Sequence, residues 1–166
     1  MRSRKRILSI VLATIILSTT IVGCANTAGG TPSDDSFSME TDRASTELAT
    51  AFFTDYYDAL NQKRYDDVCA YYSSQHYDTA DMLKTYQLGN DLFETTYQLE
   101  SVAATTNNED CIAAIIYVIT TSKNTETQQQ TVIRRKYSYA LRKEADGEYR
   151  ISEYHAGVNE IISIGD

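Results

Sequence analysis

The segment CIAAIIYVITT, residues 111–121, decides the fold class of this chain. It is rich in β-branched residues, which favour a strand, and it alternates between two apolar faces. One face carries Ile112, Ile116 and Val118, and the other carries Ile115, Tyr117 and Ile119. A strand that is apolar on both faces is typically central in its sheet and covered twice. We expect helices on one side, and on the other either a second copy of the chain or the curl of the sheet itself.

Two more strands are predicted beside this segment. Residues 97–105 have a weaker period of two, and a turn at 107–110 joins them to the central strand. Residues 131–143, TVIRRKYSYALRK, alternate clearly, which places Arg135, Tyr137 and Tyr139 on one face and Arg134 and Lys136 on the other. We expect the face with Arg134 and Lys136 to meet water.

A fourth strand follows a short hairpin loop. Residues 145–147, Ala-Asp-Gly, fit a three-residue loop with the glycine in the left-handed conformation. This loop predicts three cross-strand pairs: Leu141 with Ile151, Tyr139 with Glu153, and Tyr137 with His155. A two-residue turn would set Leu141 opposite Ser152 and mismatch the apolar faces, so the longer loop is preferred.

Helical periodicity precedes the strands. Ser45 is predicted to cap a helix that ends near Asn61, and residues 65–72 form a second, short helix. Residues 79–95 are helical in character, with Gly89 and Asn90 as either a C-cap or a kink. Helices followed by antiparallel strands indicate an α+β fold.

Two of these helical segments resemble a known family. Residues 51–60, AFFTDYYDAL, and 64–72, RYDDVCAYY, resemble the opening helices of nuclear transport factor two-like domains, a superfamily that includes SnoaL-like and ketosteroid-isomerase-like proteins. The resemblance implies a cone-like domain over residues 46–166, in which a curved antiparallel sheet wraps a long helix and can enclose a cavity. Steroid-isomerase-like members use an Asp base. No Asp falls on the predicted inward face of the late strands, so their catalytic roles are not carried over.

The N-terminus indicates export. Four basic residues among the first six precede an apolar run over 7–22, as in a secretory signal, with an uncleaved membrane anchor as the alternative. Ile21-Val22-Gly23-Cys24 resembles the lipobox of bacterial lipoproteins; the alternative is an ordinary cleavage that leaves Cys24 as a thiol. The resemblance implies a signal peptide over 1–23 and an acylated Cys24 that holds the protein to the lipid bilayer on the extracytoplasmic face. Residues 24–45 are small and polar and indicate a flexible linker.

The charge balance disfavours two classes of partner. The chain has 15 Lys and Arg against 23 Asp and Glu, and loss of the four basic residues of the signal leaves a formal charge of −12. Such an acidic protein is unsuited to nucleic acid or to anionic lipid surfaces. The 13 tyrosines, with no tryptophan, favour a cleft lined by aromatic rings with polar tips.

The predicted register gathers the candidate site residues on one face, namely Arg135, Tyr137, Tyr139, Glu153 and His155. We interpret this group as a ligand-binding set for a small molecule or an envelope protein, without catalysis and without a cofactor. A pocket enzyme that uses Glu153 and His155 as acid and base is the first alternative. The second is a homodimerising structural module that pairs through the outer apolar face of residues 111–121.

Two further groups of side chains are of the types that bind metals or form disulfides. His76, Asp78 and Asp81 lie in a polar loop without a recognised ligand spacing, so no metal is expected there. Cys69 and Cys111 are either buried thiols or a disulfide, which an exported protein permits.

Overall fold

The computed structural model describes residues 40–165, and within them three helices precede four strands. The elements are α1 (Arg43–Asn61), α2 (Tyr65–Ala70), α3 (Thr79–Leu92), β1 (Phe93–Asn108), β2 (Cys111–Asn124), β3 (Gln130–Lys143) and β4 (Tyr149–Gly165). The strands form one antiparallel sheet in the order β1-β2-β3-β4. The predicted α+β fold is confirmed. The predicted signal peptide, Cys24 and the linker up to residue 39 lie outside the described residues.

Helix α1 begins earlier than predicted. Its N-cap is Asp42, whose carboxylate accepts hydrogen bonds from the backbone N–H of Ser45 at 2.7 Å and of Thr106 at 2.8 Å. The prediction of Ser45 as the cap is wrong because Ser45 lies inside the helix, where its hydroxyl is hydrogen-bonded to the Thr106 hydroxyl at 2.6 Å. Contact with β1 therefore selects the cap, and the last residues assigned to the linker are helical.

The other end of α1 is also fixed to β1. The Asn61 side chain donates to the Tyr97 carbonyl and accepts from the Tyr97 N–H, both at 2.8 Å. Between its two ends the helix buries its apolar stripe against the sheet. The largest fully buried side chains of the core are Phe53, Val68, Ile116, Val118, Leu141 and Ile151.

Helix α2 is short, as predicted, and α3 runs through Gly89 and Asn90 to Leu92, where β1 starts directly. The Leu92 carbonyl accepts a hydrogen bond from the Thr125 N–H at 3.1 Å, which attaches the end of α3 to the β2–β3 hairpin. Neither Gly89 nor Asn90 ends the helix, so a C-cap at that position is wrong. Across residues 40–165, none of the helices combines the length and the apolar character needed to cross a bilayer.

The two faces of the sheet are covered by different parts of the chain. The face of β2 that carries Ile116 and Val118 is buried under the helices and is called the inner face here. The outer face carries Tyr117, which is half-buried. The Arg134 guanidinium lies 4.6 Å from the centre of the Tyr117 ring and pairs with Glu100 at 2.5 Å, so charged side chains of the same chain partly cover this face.

The sheet also has two distinct ends. At the closed end, Ile151 on β4 is hydrogen-bonded through its N–H to Tyr71 and through its carbonyl to Ser73. At the open end, where β4 finishes beside the start of β3, Ile161 and Ile164 are each 62% exposed. The core therefore fills the closed end, and the open end keeps apolar side chains in contact with water.

Candidate functional site

The predicted hairpin loop forms, with Gly147 at φ 89°, and Leu141 pairs with Ile151 as expected. The register then shifts, because Ser152 is an extra residue on β4 and its hydroxyl donates to the Ala140 carbonyl at 3.1 Å. Such a bulge moves every following side chain to the opposite face. The observed pairs are Ala140 with Glu153, Tyr139 with Tyr154, Ser138 with His155, and Tyr137 with Ala156. The predicted pairs of Tyr139 with Glu153 and of Tyr137 with His155 are wrong.

The shift separates the predicted site into two groups. Glu153 and His155 lie on the outer face, 52% and 62% exposed, with 3.5 Å between the Glu153 Oε1 and His155 Nε2 atoms. Arg135, Tyr137 and Tyr139 stay on the inner face. The five residues therefore do not form one site.

Aromatic side chains occupy the inner face instead. Tyr154 stacks on Tyr139 with 5.9 Å between ring centres, and Tyr139 packs on Phe53 at 4.7 Å. The Tyr56 hydroxyl is hydrogen-bonded to that of Tyr72 at 2.8 Å and lies 3.3 Å from the Tyr86 hydroxyl. Burial, with nearby phenols as a smaller cause, raises the pKa of Tyr56 well above its ordinary value. The buried phenols of this network are therefore neutral at physiological pH.

A polar group lies on the inner face toward the open end. Tyr97 pairs with Thr120, and Arg135 is the diagonal neighbour of Thr120 on β3. Burial raises the pKa of Tyr97 to about 12, with neighbouring phenols as smaller causes, and the nearby Arg135 charge opposes this rise. Tyr137 follows on the same face of β3, with its ring 5.9 Å from that of Tyr139. Together Tyr97, Thr120, Arg135 and Tyr137 form what we call the inner polar group.

Two atoms of the inner polar group lack a partner. The Thr120 Oγ1 and the Arg135 Nε are both buried and make no hydrogen bond to any described residue. Such atoms cost about 1–3 kcal/mol each when they are left unsatisfied. A bound acceptor atom that reached them would offset this cost.

The chemistry available on the inner face is hydrogen bonding and charge. No Asp, Glu or His occupies an inner-face register position in the four strands. The groups present include phenols, the Thr120 hydroxyl, the Arg135 guanidinium and the carboxamide of Asn159, which lies opposite Arg135 on β4, and all of them can donate hydrogen bonds. The arrangement suits a ligand that presents acceptor atoms.

Comparison with known proteins addresses the fold. No protein-family model matches the chain, and none of the curated proteins matches it. Several solved structures match its fold. A ketosteroid isomerase-like protein from Erwinia carotovora atroseptica is 16% identical at a TM-score of 0.58, over 74% of this chain and 99% of that chain.

Two neighbours from Novosphingobium agree with this match. A putative scytalone dehydratase from N. aromaticivorans is 12% identical at a TM-score of 0.59, over 71% of this chain and 91% of that chain. A hexachlorocyclohexane dehydrochlorinase from N. barchaimii is 10% identical at a TM-score of 0.57, over 74% and 92%. The chain has the ketosteroid-isomerase-like fold. This is the nuclear transport factor two-like cone that residues 51–72 predicted, and at these identities the likeness concerns the fold alone.

In this ketosteroid-isomerase-like cone, Thr120 is a member of the inner polar group that the sequence did not single out. It lies on the same face of β2 as Ile116 and Val118, and it is buried although its side chain is polar. This polar residue at a position that the alternation assigns to the core could have indicated the site from the sequence. Tyr97 was assigned to a strand without a role, although the large number of tyrosines indicated an aromatic lining.

Two of the surface clefts of the cone border its helices. One, of about 500 Å³, lies between α2, α3 and the β3–β4 loop and includes Cys69, Glu144 and Arg150. Arg150 pairs there with Glu144 at 3.0 Å and with Asp146 at 2.7 Å. The other, of about 440 Å³, lies between α1 and β1. In the first cleft Arg150 pairs with Glu144 Oε2, while the buried Glu144 Oε1 makes no hydrogen bond to any described residue.

The remaining candidates have structural partners. Asp78 caps α3 by accepting hydrogen bonds from Ala80 and Asp81, and His76 Nδ1 lies 3.2 Å from the Ser73 hydroxyl. Within residues 40–165 no group of three or more potential metal ligands converges. The two cysteines of this part of the chain, Cys69 and Cys111, are both buried and are not joined by a disulfide. Burial raises the pKa of the Cys69 thiol, with the charge of Asp66 as a smaller cause.

Proposed function

We propose that this chain is an extracytoplasmic lipoprotein whose cone binds a small ligand at the inner polar group without chemical conversion. The observation that carries the proposal is the pair of unsatisfied buried atoms, Thr120 Oγ1 and Arg135 Nε. A ligand acceptor placed between them would replace an unfavourable burial with charge-assisted hydrogen bonds. Tyr97 and Tyr137 supply aromatic walls on the same face.

A library screen by thermal shift tests this proposal. The protein is the full mature chain carrying Cys24→Ala, so that neither an acyl group nor detergent competes for the site. Compounds that raise the melting temperature are measured again on Arg135→Gln and on Arg134→Gln. The two arginines are adjacent on β3 and point to opposite faces, so Arg134→Gln is the matched control. We expect the stabilisation to disappear only with Arg135→Gln; compounds that stabilise both variants equally would contradict the proposal.

The enzyme alternative meets a geometric obstacle. Its acid and base, Glu153 and His155, lie on the outer face, away from the inner polar group. The structural neighbours include proteins named as an isomerase-like protein, a dehydratase and a dehydrochlorinase, and those names describe the neighbours. Conversion of a bound compound that Glu153→Gln and His155→Ala both abolish would favour the enzyme over the binding protein.

The location is part of the proposal and rests on the lipobox resemblance of Ile21-Val22-Gly23-Cys24. One acyl chain anchors a protein only marginally, so stable attachment at Cys24 needs two or more chains. Cys24→Ala should release the protein from the membrane to the soluble fraction. Continued sedimentation with membranes would contradict lipid anchoring. It would not affect the proposal that the inner polar group binds a ligand.

A homodimer through the outer face is the second candidate. It is favoured by Ile115 and Ile119, which stay half-buried beside the covered ring of Tyr117. Light scattering should then give twice the mass of the mature chain, and Ile115→Arg should halve it. A monomer at high concentration would remove this candidate.

A further inference from the structure

We infer that the ligand is an amphiphile with one acidic head, of the medium-chain carboxylate class. Its head contacts Arg135 and Thr120, and its chain runs along β3 and β4 toward the open end. This inference rests on the proposed function and specifies the ligand class for the same site.

The head is specified by the inner polar group. Thr120 is only 5% exposed, and both its hydroxyl oxygen and the Arg135 Nε are unsatisfied. A carboxylate accepts several hydrogen bonds at once and pairs well with a guanidinium. Tyr97 and Tyr137 add phenols on the same face.

The charge of the head follows from the cations on this face. Arg135 and Lys143 are the cations at inner-face register positions of the four strands. Lys143 lies beyond Leu141 at the closed end, so Arg135 is the cation near Thr120. One cation complements one negative charge, which favours a carboxylate over a doubly charged phosphate. A cationic head would be repelled by Arg135.

The chain of the ligand is specified by apolar side chains between Arg135 and the open end. Ile133 is the next inner-face residue on β3, and Ile161 pairs with it from β4. Ile164 continues this row opposite Thr131, and both Ile161 and Ile164 are 62% exposed. Ile161 and Ile164 would gain free energy if a hydrocarbon covered them, and the half-buried Ile133 lies in line with them. We call Ile133, Ile161 and Ile164 the apolar row.

The length of the apolar row limits the length of the chain. Arg135 and Thr131 are four residues apart on β3, which corresponds to about 13 Å in a strand. An extended hydrocarbon advances about 1.3 Å per carbon, so about ten carbons cover the row. Longer chains would pass the open end into water, so additional carbons would add little affinity.

Isothermal titration calorimetry with decanoate tests the inference on the mature Cys24→Ala chain. Hexanoate, octanoate and dodecanoate complete the length series, and 1-decanol and decyltrimethylammonium vary the head. We expect one decanoate per chain, an affinity that rises at most about fourfold per buried methylene up to ten carbons, and a plateau beyond. Decanol should bind about 10- to 100-fold more weakly than decanoate, and the cation more weakly still.

Variants separate the head from the chain. Arg135→Gln should lower decanoate affinity by about 10- to 100-fold and leave decanol unchanged, because only the charge-assisted contact is lost. Arg134→Gln should change neither. Ile161→Ser should weaken both ligands and flatten the length series. Should Arg135→Gln fail to fold, the head and length comparisons on the parent chain still decide the question.

Each outcome separates the inference from the proposed function. Equal affinity for decanoate and decanol, or no binding of decanoate, would overturn the ligand class. In that case library compounds that depend on Arg135 would still support the proposed function. No compound that depends on Arg135, together with no binding of decanoate, would overturn both.

Discussion

Replacing Tyr56 with Phe removes one hydroxyl from the centre of the cone and leaves the ring packing in place. That hydroxyl is 2.8 Å from the Tyr72 hydroxyl and 3.3 Å from the Tyr86 hydroxyl, and Tyr56 and Tyr72 are both buried. The substitution leaves the Tyr72 hydroxyl without its closest partner. We expect the free energy of unfolding to fall by about 1–3 kcal/mol, the cost of an unsatisfied buried polar group.

A double-mutant cycle isolates the bond between Tyr56 and Tyr72. Urea unfolding followed by circular dichroism gives the free energies for Tyr56→Phe, Tyr72→Phe and the double variant. The double variant should be less destabilised than the sum of the single variants, with a coupling of about 0.5–3 kcal/mol, because the shared bond is lost only once. Tyr117→Phe is the control, since its ring lies under Arg134 on the outer face, and its effect should stay within about 0.5 kcal/mol.

Two results would refute this reasoning. Additive single effects would show that the Tyr56 and Tyr72 hydroxyls do not share a hydrogen bond. A Tyr56→Phe variant as stable as the parent chain would show that burial of these phenols carries no penalty, and the argument from the unsatisfied atoms of Thr120 and Arg135 would weaken with it.

Three further predictions concern attachment of α1 and the dependence of stability on pH. Asn61→Ala removes two 2.8 Å hydrogen bonds to the Tyr97 backbone and should lower the free energy of unfolding in urea by about 1–3 kcal/mol; an unchanged midpoint would contradict this. Hydrogen bonds from Arg150, with a smaller part from the Glu148 backbone, lower the pKa of Asp146 to about 2, below its ordinary value of 3.8. Its stabilising effect is therefore complete above pH 3.8 and lost as the pH falls toward 2, and Asp146→Asn should flatten the acid limb of a thermal-melting series; an unchanged limb would contradict this. Burial raises the pKa of Tyr97 from 10.0 to about 12, so its contribution is complete below pH 10 and lost as the pH rises through 12. Phenolate absorbance should then show a late step that coincides with loss of circular dichroism, and ionisation of every tyrosine in the native fold near pH 10 would contradict this.

The sequence predicted the elements whose side chains follow one period without interruption. The spacing of Phe53, Tyr56 and Leu60 indicates the buried stripe of α1, and all three are buried. The alternation in residues 131–143 gave the faces of β3 correctly, because no bulge interrupts its pairing with β2. The cap of α1 was wrong because Asp42 and Ser45 are both good capping residues, and a distant contact with Thr106 decides between them.

The candidate site depended on the register of β4, and a single residue changed it. The hairpin loop and the pair of Leu141 with Ile151 were predicted correctly, but nothing local in the loop specifies an extra residue further along the strand. The apolar and aromatic residues of β4 indicate the extra residue. Ile151 and Tyr154 are three positions apart and would face opposite sides in a regular strand, but both face inward. The bulge at Ser152 places the Tyr154 ring 5.9 Å from that of Tyr139 and leaves the charged Glu153 carboxylate on the outer face, in contact with water.

The placement of Tyr154, and not Glu153, on the inner face also determines which chemical groups that face offers. With Glu153 outside, the inner face keeps phenols, the Thr120 hydroxyl, the Arg135 guanidinium and the Asn159 carboxamide. Burial raises the pKa of Tyr56, and the pKa of Tyr97 rises to about 12 for the same reason, so these phenols hold their protons at neutral pH. Groups that hold their protons can donate hydrogen bonds to a ligand but cannot remove a proton from it. The bulge therefore leaves an inner face whose hydrogen-bond donors suit a molecule that carries acceptor atoms.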